Sequence, residues 1–126
     1  MEPYQFTLEE ANSLVPWLAG KFTDLDRLQQ EYSAIRKRIT DFQITPNNKT
    51  DGTKLKSESE QVARQIEESI EEILDQGIIV RDASSGLVDF PSLRNGEDIY
   101  LCWIGGEERI QYWHGTDEGF SHRKPL

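Results

Sequence analysis

The feature that most constrains this chain is an apolar stripe near its beginning. Ala11, Leu14, Leu18, Leu25, Leu28, Tyr32, Ile35, Ile39 and Phe42 recur at alternating spacings of three and four, and Phe22 fills the one gap of seven. Such spacing lays a row of side chains down one side of a helix. Phe6-Thr7-Leu8-Glu9-Glu10 supplies the start, because Thr7 can cap the N-terminus while Glu10, three residues on, reaches back to it. At ~1.5 Å rise per residue, a helix over 8–42 forms a rod of roughly 50 Å, which must pack along a partner helix. Pro16 removes a backbone donor and clashes with the preceding turn. It predicts a kink or break, with Gly20 loosening the next turn and the first two turns free to form a short separate helix.

The partner follows. Residues 45–56 combine Pro, Gly and Asn with almost no apolar content and read as an exposed, mobile connection. Ser57 with Glu60 forms a second capping box, opening a helix over 58–76 whose apolar face is Val62, Ile66, Ile70, Ile73 and Leu74, with Gly77 as its left-handed stop. The two helices should dock antiparallel. The opposite face carries Glu58, Glu60, Glu67, Glu68, Glu71, Glu72 and Asp75 against only Arg64, which suits either a solvated face or an acidic binding surface. Trp17, Phe22 and Leu28 fall off a single narrow seam, so a second copy of the hairpin, making a symmetric four-helix bundle, is the expected partner, with cover by the sheet itself as the competing explanation.

After Gly77 the period changes to alternation. Ile78–Val80, Leu87–Phe90, Ile99–Ile104 and Arg109–Trp113 read as four short strands, punctuated by Asp82-Ala83-Ser84-Ser85-Gly86, Asn95-Gly96 and Gly105-Gly106. An even-length loop at Gly105-Gly106 places Ile99, Leu101, Trp103, Ile110, Tyr112 and His114 on one, core-facing side, with Tyr100, Cys102 and Trp113 opposite. The expectation is thus an α+β fold. A long two-helix hairpin packs on a four-stranded antiparallel meander over 78–113, and the 114–126 tail lies on the sheet. All 126 residues belong to one domain, a length that buries a core without staples.

Composition narrows the partners. Fourteen basic against 23 acidic residues give a net charge of -9, which repels phosphate backbones and anionic lipid, so neither nucleic acid nor a membrane is expected. No apolar run approaches the ~18 residues of a membrane span. A lone Cys102 and a start without a basic or apolar leader fit a reducing cytosol.

Glycine-rich phosphate loops, Gly-x-Ser-x-Gly elbows, paired Cys-x-x-Cys, His-Glu-x-x-His and calcium loops are absent, so no cofactor and no catalytic residue is assigned. The densest chemistry lies at the end of the chain. His114, His122, Asp117 and Glu118 are types that bind a divalent metal, although a spacing of eight between the histidines matches no closed metal motif. Cys102 in mid-strand reads as a small buried apolar residue before it reads as a nucleophile. Asp89 stands at the end of an apolar strand and, if it points inward, needs either backbone donors or a cation, for which Arg109, Arg123 and His114 are the candidates. A ligand site, or a clasp pinning the tail, is therefore expected from Asp89, His114, His122 and Arg123.

The series Gly86-Leu87-Val88-Asp89-Phe90-Pro91, Tyr100-Leu101-Cys102-Trp103, Tyr112-Trp113-His114 and Gly119 to Leu126 resembles the bacterial family catalogued as domain of unknown function 2203. Phe6 to Asn12 looks like the start of that family as well. The resemblance implies a bacterial, cytosolic, stand-alone protein and brings no activity, substrate or catalytic residue with it. The functional expectation is a non-catalytic interaction or regulatory module acting through protein–protein contacts. The alternative is a small enzyme or metal-binding protein with its site between sheet and tail.

Overall fold

The computed structural model of the protein describes residues 4–44 and 49–126. Two helices, α1 (Leu8–Ile44) and α2 (Lys49–Asp75), precede five strands: β1 (Ile79–Asp82), β2 (Leu87–Arg94), β3 (Glu97–Trp103), β4 (Tyr112–Gly115) and β5 (Lys124–Pro125). A 3-10 turn, Phe120–His122, lies between the last two. The fold is α+β with an antiparallel sheet of order β1-β2-β3-β4-β5. The expected fourfold meander gains a fifth strand because the tail adds to the edge of β4. Tyr112 pairs with Pro125, Trp113 with Lys124, and the Leu126 N–H donates to the Gln111 carbonyl.

The first capping box forms as read: the Thr7 N–H donates to Glu10 Oε1 at 2.9 Å and the Glu10 N–H to Thr7 Oγ1 at 3.1 Å. Pro16 neither ends α1 nor splits off a separate first helix, since the helix continues through it to Ile44. Tertiary packing outweighs one lost hydrogen bond, with Ala11, Val15 and Leu18 all buried around it. The second capping box does not form. Helix α2 already begins at Lys49 and passes through Ser57, taking in most of the stretch expected to be a loose connection; residues 45–48 of that stretch lie outside the described residues. Buried Leu55 and Ser59 explain the extension, because the first turns of α2 have a core to join. The helix ends as expected at Gly77, with φ of +89° and its N–H donated to the Leu74 carbonyl. Leu74 itself, expected on the apolar face, is exposed.

The chain divides into two compact units, Met1–Phe22 with Glu71–Leu126, and Thr23–Ile70. The second is the hairpin itself. Leu28, Ile35 and Val62 form its core, flanked by Tyr32, Ile39 and Ile66, and Arg38 pairs with Glu58, so the helices run antiparallel. At Gly52 an added Cβ would meet the Phe42 ring at 2.7 Å, so the missing side chain lets that ring settle against α2. In the first unit, Phe6 meets Phe90 edge-on and Phe22 stacks on Trp103, which lays the first turns of α1 against one face of the sheet. Leu28 and Phe22 thus find cover within a single chain. Trp17 keeps a partly exposed ring with Lys21 over it.

The register of β3 and β4 departs from expectation. Leu101 pairs with Trp113 and Tyr100 with His114, an odd-length connection, so Tyr112 and His114 move to the face of Tyr100 and Cys102, and Trp113 to that of Leu101. The loop causes the slip. Glu107 closes it by taking the Ile104 N–H on its carboxylate and the Trp103 indole N–H on its carbonyl, and the Ile110 N–H leaves the ladder to donate to Asn12 Oδ1.

Candidate functional site

The inner face of the sheet is apolar: Val88, Phe90, Ile99, Leu101 and Trp103 are all buried. The outer face carries the chemistry, and its register comes from one turn. Asn95 and Gly96 adopt φ of +52° and +79°, the signature of a two-residue type I′ hairpin, which pairs Arg94 with Glu97. Counting back along the ladder sets Asp89 directly opposite Cys102. β4 then places His114 beside Tyr100, one position along on the same face.

Asp89, Cys102 and His114 are exposed by only 2%, 0% and 1%. Asp89 Oδ1 lies 2.9 Å from His114 Nε2, and Asp89 Oδ2 accepts from Arg81 Nε at 2.9 Å. His114 Nδ1 lies 2.8 Å from the Gly115 carbonyl oxygen. A carbonyl only accepts, so Nδ1 carries a proton. Both imidazole nitrogens are therefore engaged, and the histidine is buried. The Tyr100 ring lies 5.6 Å from the imidazole and 5.3 Å from the Arg81 guanidinium. Hydrogen bonding to Asp89 holds Arg81 more firmly in its charged form. Burial, with the Asp89 charge, pushes the Cys102 thiol up to about 11 against an opposing pull from Arg123.

A cavity of about 420 Å³ opens over this cluster, lined by Arg81, Asp89, Cys102, His114 and the segment from Thr116 to Phe120. Of the residues expected at a site, Asp89 and His114 come together on its floor, and Asp117 and Glu118 stand at its rim. Glu118 is fixed there by the Gly115 N–H and by Lys124 Nζ, which hold its carboxyl below the usual range. His122 does not line the cavity; it is exposed and bonded to the Ser121 hydroxyl. Arg123 serves a neighbouring clasp. Its guanidinium bonds Glu107 at 3.0 and 3.3 Å between the Tyr112 and Phe120 rings, whose centres lie 4.1 and 4.4 Å away. Arg109, weighed as a partner for Asp89, is exposed on the loop, and Arg81 takes that role.

One participant, Arg81, and one pairing, Asp89 with Cys102, escaped the sequence reading. Arg81 is a lone cation after Ile79-Val80, on the face that Ile79 shares with Asp89, and strand alternation would have pointed to it. Cys102 was weighed with a histidine base but not with Asp89, although the Asn95-Gly96 turn already sets it across from that carboxylate. Among the described residues, the group whose donors can converge on one metal ion is Asp89, Cys102 and His114.

Set beside known proteins, the chain matches over residues 5–126 the model of the family described as "Uncharacterized conserved protein (DUF2203)". No curated protein and no solved structure matches it. Among the described residues, no helix is long and apolar enough to cross a membrane.

Proposed function

We propose, for a chain that belongs to the DUF2203 family, the role of a non-catalytic binding module. In this reading the outer-face cavity receives a small ligand and the helical hairpin is the surface offered to a protein partner. One observation carries it: both nitrogens of His114 are committed, one to Gly115 and one to Asp89, inside a buried cluster. A general base needs a free lone pair within reach of a substrate proton, and His114 has none unless it leaves Asp89. Cys102, with its thiol pushed up to about 11, is a poor nucleophile near neutral pH. The arrangement is preorganised to hold something rather than to turn it over. The hairpin supports the partner role because its apolar side chains are spent on its own seam, while Glu60, Glu67 and Glu68 face solvent.

The test is a set of amide spectra of the full-length protein, titrated with divalent cations and with small carboxylates and phosphates. The reading expects at least one of these to shift resonances of Asp89 and of residues 114–120, and to be recovered chemically unchanged. Turnover of any of them, or shifts confined to residues 23–70, would overturn it. Replacing Glu67→Lys together with Glu68→Lys should abolish capture of a protein partner while leaving the cavity resonances in place.

A further inference from the structure

We infer that the floor of this cavity is a site for one divalent transition-metal cation of the zinc class, held by Asp89, Cys102 and His114. The inference rests on the binding-module reading and names the ligand of its cavity. The three donor atoms lie within 4.8 Å of one another, and all three residues are buried. In a tetrahedral centre with bonds of about 2.0–2.3 Å, donors stand roughly 3.3–3.7 Å apart, so an ion is bound by small side-chain rotations that part His114 Nε2 and Asp89 Oδ1 from their 2.9 Å contact and bring in the Cys102 sulfur.

The donors are already aimed. The Nδ1 proton of His114 is held by the Gly115 carbonyl, which turns Nε2 toward Asp89 Oδ1. Metal-binding histidines are oriented in this way, by a second contact on the nitrogen that does not bind. Asp89 is matched to it, because Arg81 holds Oδ2 and leaves Oδ1 facing the imidazole. An imidazole nitrogen and a carboxylate oxygen are both acceptors, so a cation has to lie between them. In the empty protein that cation is a proton, and a metal ion takes its place.

The third donor sets the class of ion. A thiolate beside an imidazole and one carboxylate suits zinc and related ions, whereas magnesium and calcium select oxygen-only shells. Loading balances as an exchange. One divalent ion enters, the proton shared by Asp89 and His114 leaves, and the thiol proton of Cys102 leaves, so two protons pass to solvent. Three protein ligands leave a fourth position, which opens on the cavity beside Thr116 and Asp117 and takes the oxygen of the small ligand that the module holds.

Cobalt(II), which reports bound thiolate through a sulfur-to-metal charge-transfer absorption, is the probe, titrated into chelator-treated full-length protein. One ion per chain with that absorption is expected. Cys102→Ser should keep the melting temperature, lose the absorption and weaken binding by more than about tenfold, a loss at least as large as that for an outer-shell partner. His122→Ala should bind as the parent does. Binding without the sulfur absorption, binding lost in His122→Ala, or no binding at all would each overturn the site. In the last case the small-molecule titration separates two failures. Shifts at residues 114–120 would leave the binding module standing without its metal, whereas silence there would remove both.

Discussion

The two compact units of this molecule solve the problem of burial in different ways. The hairpin unit, Thr23–Ile70, buries Leu28, Ile35, Leu55 and Val62, and among the described residues the only polar ones it hides are Ser59 and Ser69. The Ser59 hydroxyl is returned to its own helix through the Lys56 carbonyl. The sheet unit buries an aspartate and a histidine, and satisfies them with a guanidinium, a carbonyl and each other. No buried side-chain nitrogen or oxygen lacks a partner among the described residues. Hiding charge is expensive unless every member is paired, and an apolar core of the same volume is generally as stable or more so. The core of the hairpin is what a chain builds for stability. The sheet unit carries a cost that stability does not explain, and it carries it under an open cavity.

That contrast breaks most readily at Asp89. Asp89→Ala leaves His114 and Arg81 facing an uncompensated buried gap, and should cost about 3–5 kcal/mol. Thermal unfolding checks it, with a fall in Tm of roughly 10 °C or more expected for a domain of this size. If Asp89→Ala is neutral, the buried network is incidental and the contrast fails. In the hairpin the largest effect available is a cavity. Ile35→Ala should cost ~2 kcal/mol, at the lower end for such truncations because two helices can close on the gap, and should leave the amide resonances of residues 114–120 in place.

A smaller effect belongs to the cap. Thr7→Ala should cost about 1 kcal/mol, read by denaturant unfolding. The Tyr4 hydroxyl, with the Thr7 N–H and hydroxyl, holds the Glu10 carboxyl below its usual range. A depressed folded value means that this stabilisation is present above the ordinary carboxylate range and is lost as pH falls through the folded value. The stability difference between the parent and Tyr4→Phe should therefore be seen at neutral pH and vanish in acid; a difference that grows in acid would contradict the assignment. Smallest of all, Glu67→Gln on the solvated face of α2 should change stability by no more than about 0.5 kcal/mol.

The helices were readable because their information is local. The three-and-four stripe, the Thr7–Glu10 box and the Gly77 stop each act within a few residues. Ser57 misled because a capping pattern inside a helix is only a polar pair, and nothing near it says that Leu55 will be buried upstream. The site is non-local, and it was readable as far as the turns were. Asn95-Gly96 determines the β2–β3 register and with it the Asp89–Cys102 pairing, so that half was present in the sequence. The placement of His114 depends on how the loop from Ile104 to Gln111 closes, which Glu107 and Asn12 decide through contacts across 3 and 98 residues. No periodicity within β4 carries that, and an even-length loop put His114 on the wrong face. Asp89 and His114 were nonetheless named together, because a buried aspartate needs a cation and few were available.

The ring nitrogens of His114 give the most direct test of the central claim, read in a long-range proton–nitrogen correlation spectrum of the full-length protein before and after one equivalent of zinc. The account predicts a proton on Nδ1 in both states, with the Nε2 resonance alone moving to a metal-bound position when zinc is added. A bare Nδ1 in the empty protein, or a zinc response at His122 with the His114 ring unmoved, would contradict it.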